Sequence, residues 1–429
     1  MKNNVCILGM GYVGLTLAAA MSEKGFNVFG VEIDDEKLKT IREGRSHFLE
    51  VGLDMTLERG IKNRTLSFSK EIPAGQEFDA YIVTVGTPLD HDGNPRMDMI
   101  ENVGTDISNH LAPGALIILR STVKVGTTRD IVKPILDAAG KEYYLAFCPE
   151  RTIEGKAMEE LNYLPQIIGG LNDKSVQKAE EIFSRITSTI HRLSSLESAE
   201  LIKLLDNSFR DVFFSFGNEV ALMCEALGLS SHEIINAANM GYSRTNIANP
   251  GFVGGPCLEK DPYILDHSLK SHNYSPDLIK TARKLNESVV DHVFNHVKTH
   301  LKENPKPVIT LMGLAFKGTP DTDDLRGSAA LDLIDAFNSG MPNATLRGQD
   351  YFVKDEEIEK LGIKPVDEIE AFEKADLVII LNNNKKYSWI DYGKHSSFLN
   401  SSGMIYDCWG VVSKTTKLAK GVSLNVLGG

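Results

Sequence analysis

Five cysteines, at positions 6, 148, 224, 257 and 408, are scattered so widely that no C-x-x-C pair occurs. This spacing argues against a zinc ribbon and a disulfide framework, and it suits a reducing cytoplasm. Basic residues are the minority, 46 against 58 acidic, and the formal charge of -12 argues against general affinity for nucleic acid or an anionic membrane. Any phosphate site therefore has to be local. Low-complexity tracts are lacking too. The one long apolar run, Val5 to Ala20, is interrupted by Gly9, Gly11 and Gly14 and closed by Glu23-Lys24, which weakens both a signal-peptide and a membrane-span reading. The 429 residues, 42% hydrophobic and 24% charged, have the make-up of an ordinary soluble enzyme with room for two or three domains.

The interruptions form a pattern of their own. Val5-Cys-Ile-Leu8 reads as a buried strand, Gly9-Met-Gly11-Tyr12-Val13-Gly14 as a G-x-G-x-x-G turn, and the residues to about Lys24 as a helix. Glycines there permit a tight turn and close approach to a pyrophosphate, which the helix N-terminus meets with free N–H groups and the positive end of its dipole. A second strand, 27–31, ends on Glu32, about the 20 residues further on at which a ribose-binding acid is expected, with Asp34 as the backup. A carboxylate at that place favours NAD over NADP, whose 2'-phosphate would meet it. The other reading is a glycine turn followed by an exposed acid.

More β-α units follow. Segments 80–85 and 115–119 read as strands, leading into Gly86-Thr87-Pro88 and Arg120-Ser121-Thr122-Val123. In a doubly wound sheet ligands bind beyond the carboxyl ends of strands, so Thr87 and Thr122 are placed to face cofactor or substrate; as single hydroxyls they can equally be helix caps. Strand 143–147 leads to Glu150 and Glu154, four residues apart, expected on one side of a turn or short helix where one acts as base or orders a water; surface acids flanking a loop look the same.

From about residue 195 the pattern is helical. Apolar residues at 201, 204, 205, 209, 212, 213, 216 and 220 predict one buried helix face, and Lys203, Asn207 and Arg210 a polar stripe that is either solvated or lines a site. The segment from Pro250 to Pro262 carries glycines at 251, 254 and 255 and prolines at 250, 256 and 262, which predicts a shaped, non-helical loop around Cys257. One cysteine is ordinarily a small buried apolar residue, but Lys260 and Asp261 can tune a thiolate and handle its proton. His292, His296 and His300 recur every four residues on a predicted helix. With no Glu or Cys at ligand spacing they read as a solvated face, not a metal site. Strands at 307–312, 375–381 and 403–406 begin a second parallel sheet after the linker 302–307. It lacks G-x-G-x-x-G, which argues against a second dinucleotide; Lys317 and Arg326 can meet a diphosphate or simply be solvated.

Taken together, the glycine loop at 9, 11 and 14, Ser121-Thr122-Val123, Pro149-Glu150 with Glu154-Gly155, Ala199-Glu200 through Lys203 and Asn207 to Asn218-Glu219, Gly254-Gly255-Pro256-Cys257 with Lys260-Asp261, and Gly313-Leu-Ala-Phe-Lys317 with Asp323-Asp324-Leu-Arg326 resemble the UDP-sugar 6-dehydrogenase family over nearly the whole chain. The resemblance implies an α/β fold of two Rossmann-like doubly wound domains joined by a long central helix and a small helical region. Residues 1–195 would bind NAD, 196–304 would carry the central helix, the cysteine loop and a homodimer contact, and 305–429 would bind UDP.

It further implies a cytoplasmic enzyme of polysaccharide biosynthesis that performs a two-step, four-electron oxidation of a sugar C6 alcohol with two NAD in turn. Cys257 would capture the aldehyde, with Lys203, Asn207 and Asp261 serving proton transfer and oxyanion stabilisation. Glu154, with Thr122 and Glu150, would serve thioester hydrolysis. Gly9, Gly11, Tyr12, Val13, Gly14, Glu32, Thr87 and Thr122 would hold the cofactor; Glu150, Lys203, Asn207, Arg210, Arg244, Gly254, Lys317 and Arg326 would contact the UDP-sugar, Arg244 from the partner subunit.

The residues 207–212 and 244–247 look more like the N-acetylhexosamine branch, whereas Glu154 and Lys260-Asp261 look like the glucose enzymes. The expected substrate is a UDP-N-acetylhexosamine of the ManNAc or GlcNAc type, with UDP-glucose the alternative. Lys124 stands where the family usually has proline, and Gly327 where a glutamate usually follows Arg326. Two other readings are a one-step hydroxyacid-type dehydrogenase, which has no use for Cys257, and a silent nucleotide-sugar binder, which would lose the chemistry.

Overall fold

The computed structural model describes residues 3–429. Its first sheet contains β1 (Asn4–Leu8), β2 (Asn27–Val31), β3 (Leu66–Ser69), β4 (Ala80–Val83), β5 (Ala115–Leu119), β6 (Tyr143–Phe147), β7 (Gln166–Gly170) and β8 (Ile190–Arg192), in the order β3-β2-β1-β4-β5-β6-β7-β8. All neighbours are parallel except β6 and β7. Central strands such as Ala-Leu-Ile-Ile-Leu at 115–119 are buried along their whole length, because helices cover both faces of a parallel sheet.

A second sheet holds β9 (Val308–Met312), β10 (Thr345–Gln349), β11 (Lys364–Pro365), β12 (Leu377–Ile380), β13 (Met404–Asp407) and β14 (Ser423–Val426), all parallel, in the order β11-β10-β9-β12-β13-β14. Both sheets reverse direction of winding beside their first strand, which leaves a crevice at its carboxyl end. The fold is thus α/β with two doubly wound sheets and a helix of 32 residues, Leu196–Leu227, in between in sequence.

The chain divides into two compact units, one of residues up to Asp206 together with Tyr263–Ser275, the other of Asn207–Pro262 with Pro276–Gly429. Each has its own apolar cores: Leu15, Ile82, Ile118 and Phe183 belong to the first unit, and Leu311, Phe337, Leu377 and Ile379 to the second.

The long helix departs from the expected single apolar buried face. Leu204 is fully buried, but Leu205, Phe209 and Phe216 are exposed, Phe209 by 70%. The side chains turned inward include Asn207, Ser208, Asp211, Ser215 and Asn218. Periodicity reports that a helix has two unlike faces; it does not say which one meets protein, and here Asp211 and Asn218 find polar partners on the helix Asp277–His300 and Asn207 finds Asp261, so the polar face is an inner one.

Candidate active site

In the first unit, β1 ends at Leu8 and the helix Tyr12–Glu23 starts after three intervening residues. Gly14 cannot carry a side chain, since a Cβ there would stand 1.9 Å from the Gly9 carbonyl oxygen. No side chain caps this helix and no acid occupies its first turn, so its leading N–H groups are left for an anion. Glu32 lies buried at the end of β2 and accepts from the Met10 N–H and the Asp34 N–H, both at 3.0 Å, which ties the acid to the glycine loop. Asp34 instead caps the next helix. The cradle therefore fits a dinucleotide.

Other expected positions of this unit acquire partners that the sequence did not reveal. Thr87 and Thr122 are not helix caps; the Thr87 hydroxyl donates to the Thr122 carbonyl and joins the loops after β4 and β5. Glu150 and Glu154 do not share a helical turn, because 151–153 is irregular and Glu154 lies in the turn that follows. Glu150 is buried and both its oxygens are used: Oε2 accepts from Arg120, Oε1 from the N–H groups of Arg151 and Thr152. Burial alone would raise its carboxyl, yet Arg120, the Thr152 N–H and nearby Lys203 bring it below the usual range.

So Glu150 is a poor base and a good anchor. Arg120, overlooked in the sequence, also donates to the Cys148 carbonyl and the Gln166 side chain. Its signal was a charge directly after five apolar strand residues. Tyr12 gives its hydroxyl hydrogen to Glu50, and the Gly155 N–H donates to both, which fixes the turn carrying Glu154. Burial first, and then Glu50, push the Tyr12 hydroxyl well above its usual range.

In the second unit the cysteine segment is not wholly irregular. Gly255–Leu258 closes one turn of helix, with Pro256 in its first turn where a missing N–H costs nothing. Gly255 has φ of 92°, and a Cβ on it would meet the Phe316 ring at 2.4 Å. Cys257 is exposed, whereas Cys6, Cys148, Cys224 and Cys408 are buried, with burial pushing the Cys148 thiol up to about 12. Asp261 is completely buried, taking hydrogen bonds from Asn207 Nδ2 at 2.6 Å and Lys260 Nζ at 3.0 Å. Lys203, four residues before Asn207 on the long helix, is half-buried, and Arg210 exposed.

The unexpected Gly327 has a structural explanation. It sits at φ of 64° with the Glu259 carboxylate where a Cβ would go, 2.4 Å away, and its carbonyl accepts from the Gly255 N–H at 2.7 Å. A side chain at 327 would displace Glu259 from beside the cysteine turn. Gly254 is equally confined, by the Gly327 carbonyl oxygen. Arg326 engages Asp324 through two donors at 3.0 and 2.6 Å. Lys317 gathers with Thr322, Asp350, Asn382 and Asn384 beyond the carboxyl ends of β9, β10 and β12. Arg244 is exposed, its guanidinium bonded to the Tyr242 hydroxyl at 2.9 Å.

The histidines are not a bare solvated face. His292 pairs with Glu225 at 2.7 Å, His296 contacts Asn425 and Tyr406, and His300 meets the Ser402 carbonyl.

Comparison with known proteins agrees with this geometry. Residues 3–187 match the NAD-binding domain of the UDP-glucose/GDP-mannose dehydrogenase family, 197–288 its central domain and 310–414 its UDP-binding domain. A UDP-N-acetyl-D-mannosamine dehydrogenase from Campylobacter jejuni is 32% identical over 417 residues, 92% of this chain and 99% of that one. The chain belongs to the UDP-glucose/GDP-mannose dehydrogenase family. It is an NAD-dependent UDP-sugar dehydrogenase.

Within that family, the enzyme from Methanococcus aeolicus described as a UDP-N-acetyl-D-mannosamine dehydrogenase is 34% identical, covering 90% of this chain and 85% of its own. A solved structure of a UDP-D-ManNAc dehydrogenase from Pyrococcus horikoshii superimposes with a TM-score of 0.89 at 27% identity, covering 99% of both chains. Among the described residues no helix is long and apolar enough to cross a membrane.

Proposed function

We propose that this dehydrogenase oxidises the C6 alcohol of a UDP-N-acetylhexosamine, of the ManNAc or GlcNAc type, to the uronic acid through a thiohemiacetal and a thioester on Cys257. The observation that carries the reading is the thiol itself: one cysteine of five is exposed, set on a one-turn helix, with Lys260 and Asp261 close after it in sequence and Asp261 hydrogen-bonded by both Lys260 and Asn207. The names of the relatives at 32% and 34% identity support the sugar. UDP-glucose remains the second reading, because Glu154 and Lys260-Asp261 resemble the glucose enzymes.

When bound, NAD accepts a hydride from C6 in each of two oxidations. The C6 hydroxyl loses its proton to a water or lysine associated with Asp261 and Lys203. Cys257 thiolate then adds to the aldehyde carbon, and Lys203 and Asn207 steady the oxyanion. Loss of the second hydride leaves a thioester, which water hydrolyses to carboxylate and free thiol with Glu154 as base. Thr122 and Glu150 act there through position, since Glu150 already holds four donors.

Lys317 and Arg326 would meet the diphosphate, Gly254 would contact the sugar through its backbone, and Arg210 and Arg244 would reach the substrate. The functional division is 1–195 for NAD, 196–304 for the helical and thiol region and 305–429 for UDP. The exposed residues Leu205, Phe209, Phe216 and Met223 form a stripe at intervals of four and seven, which suits a second copy of the chain and a homodimer sharing Arg244. The enzyme would act in the cytoplasm, in polysaccharide biosynthesis.

A panel of UDP-sugars assayed for NADH tests the substrate; two NADH per sugar are expected, and one per sugar would refute the thioester. Glu154→Gln should release a burst of about two NADH per site and leave a sugar adduct on Cys257 by intact mass. Wild-type turnover by Cys257→Ala would overturn the covalent mechanism. Phe209→Glu should give monomers in sedimentation.

A further inference from the structure

The thiol loop is held from beneath by a buried polar seam that the reaction itself does not use. Arg283, on the helix Asp277–His300, is 2% exposed. Its Nη2 donates to the Val253 carbonyl at 2.9 Å and its Nη1 to the Leu258 carbonyl at 3.1 Å, so one guanidinium grips the segment on both sides of Gly254-Gly255-Pro256-Cys257. The same Nη1 meets Asp211 Oδ1 at 2.9 Å. Asn286 donates to the Asp211 carbonyl and carboxylate, Asn218 donates to Asn286, and the Gly251 N–H donates to Asn218 at 2.9 Å. Asp211, Asn218 and Asn286 are all buried to within 2%.

A buried ion pair is a costly way to pack two helices, and apolar side chains of similar volume do that as well or better. What apolar packing cannot do is bind two carbonyls and one N–H of a glycine-rich segment and so choose one conformation for it. The Leu258 carbonyl closes the one-turn helix, where a cation is electrostatically favoured, and it follows Cys257 directly. Arginine suits the task because its planar fork reaches two acceptors at fixed separation, which an ammonium does not.

We propose that Arg283, braced by Asp211 and Asn286, is a positioning residue that sets where the Cys257 thiol stands. The proposal rests on the reading of Cys257 as the nucleophile. It assigns Arg283 to the second oxidation, which needs the thiol, and leaves the first to proceed.

The test compares Arg283→Lys and Arg283→Met with the wild-type full chain. Hydrogen exchange of peptides covering 251–258, measured without substrate, should quicken by about tenfold in both variants. Rapid mixing with UDP-N-acetyl-D-mannosamine or UDP-glucose, whichever the panel identifies, and NAD should give a first NADH at the wild-type rate and a second slowed by about tenfold or more, with KM for NAD unchanged within about twofold. Arg283→Lys should restore thermal stability relative to Arg283→Met but not the second step; where the methionine variant does not fold, the lysine variant carries the test.

Unchanged exchange in 251–258, or equal slowing of both NADH steps, overturns the proposal. Wild-type release of two NADH by Cys257→Ala, run in parallel, overturns instead the nucleophile reading on which it stands.

Discussion

The two sheets of this dehydrogenase have the same strand order around their first strands, yet the chain leaves those strands in different ways. After β1 the chain turns through Gly9 and Gly11 straight into a helix whose N-terminus no side chain caps. After β9 it makes a longer excursion through Lys317, and the next helix, Ala329–Gly340, is capped by Ser328, whose hydroxyl oxygen accepts from the Ala330 N–H at 3.1 Å and whose hydrogen goes to the Leu314 carbonyl. One helix end is thus kept open for phosphate while the other is already in use. The same topology thus offers different groups at its two crevices: uncapped backbone N–H groups in the first, side chains such as Lys317 and Asn382 in the second. The acid position, by contrast, is shared: Glu32 directly follows β2 and Asp350 directly follows β10, and each accepts from a backbone N–H of the loop after the first strand, Met10 at 3.0 Å and Ala315 at 3.1 Å.

The sharpest way to break this contrast is Gly14→Ala. Overpacking against the Gly9 carbonyl and Thr84 should cost about 1–3 kcal/mol of stability and raise KM for NAD by roughly 100-fold, seen in thermal melts and initial rates. Wild-type NAD affinity in that variant would show that the loop is not the phosphate cradle. In the second sheet, Lys317→Ala should weaken UDP binding by roughly tenfold in calorimetry and leave NAD binding alone. A parallel loss of NAD affinity would mean that the two sites are not separable. Glu32→Gln should narrow the preference for NAD over NADP, expected at roughly tenfold or more in the wild type, because the 2'-phosphate would no longer meet a carboxylate. An unaltered cofactor ratio would free Glu32 from that role.

Ser328→Ala should lower stability by about 1 kcal/mol with KM for the UDP-sugar unaltered, as expected of a cap that binds no ligand.

The smallest effect contrasts charged pairs. Arg120-Glu150 is buried, whereas His292-Glu225 is partly open, with side chains 33% and 23% exposed. Hydrogen bonding to Glu225 raises His292 above its usual value, against burial. Burial opposes, but the His292 bond and the Gly428 N–H hold Glu225 below its own. The histidine contribution is therefore complete below about pH 6.5 and fades as pH climbs through the raised value. The carboxylate contribution is complete above about pH 4.5 and fades as pH falls through the lowered one. His292→Gln should cost at most about 1 kcal/mol near pH 5.5 and almost nothing near pH 9, read from melting temperatures across pH. An equal deficit at both pH values would mean that packing, not charge, is what the mutation removes.

Local features determined a good deal. Glycines at 9, 11 and 14, the acid 18 positions after Gly14, fully apolar strands such as 115–119 and the glycine-proline frame of Cys257 are each local features, and steric rules act on neighbouring residues, so the parallel α/β class, the glycine turn into the first helix and the tight turn around Cys257 were legible in the chain. Tertiary structure alone decided which face of the long helix is inner, that Glu150 is consumed by Arg120, that Glu259 takes the space a side chain at 327 would need, and that Arg283 holds the cysteine turn. Arg283 and Asp211 are 72 residues apart, and Arg120 and Glu150 are 30 apart. Periodicity within one helix or strand carries no record of such partners, because a buried charge is tolerated only when folding delivers its counter-charge from elsewhere in the chain.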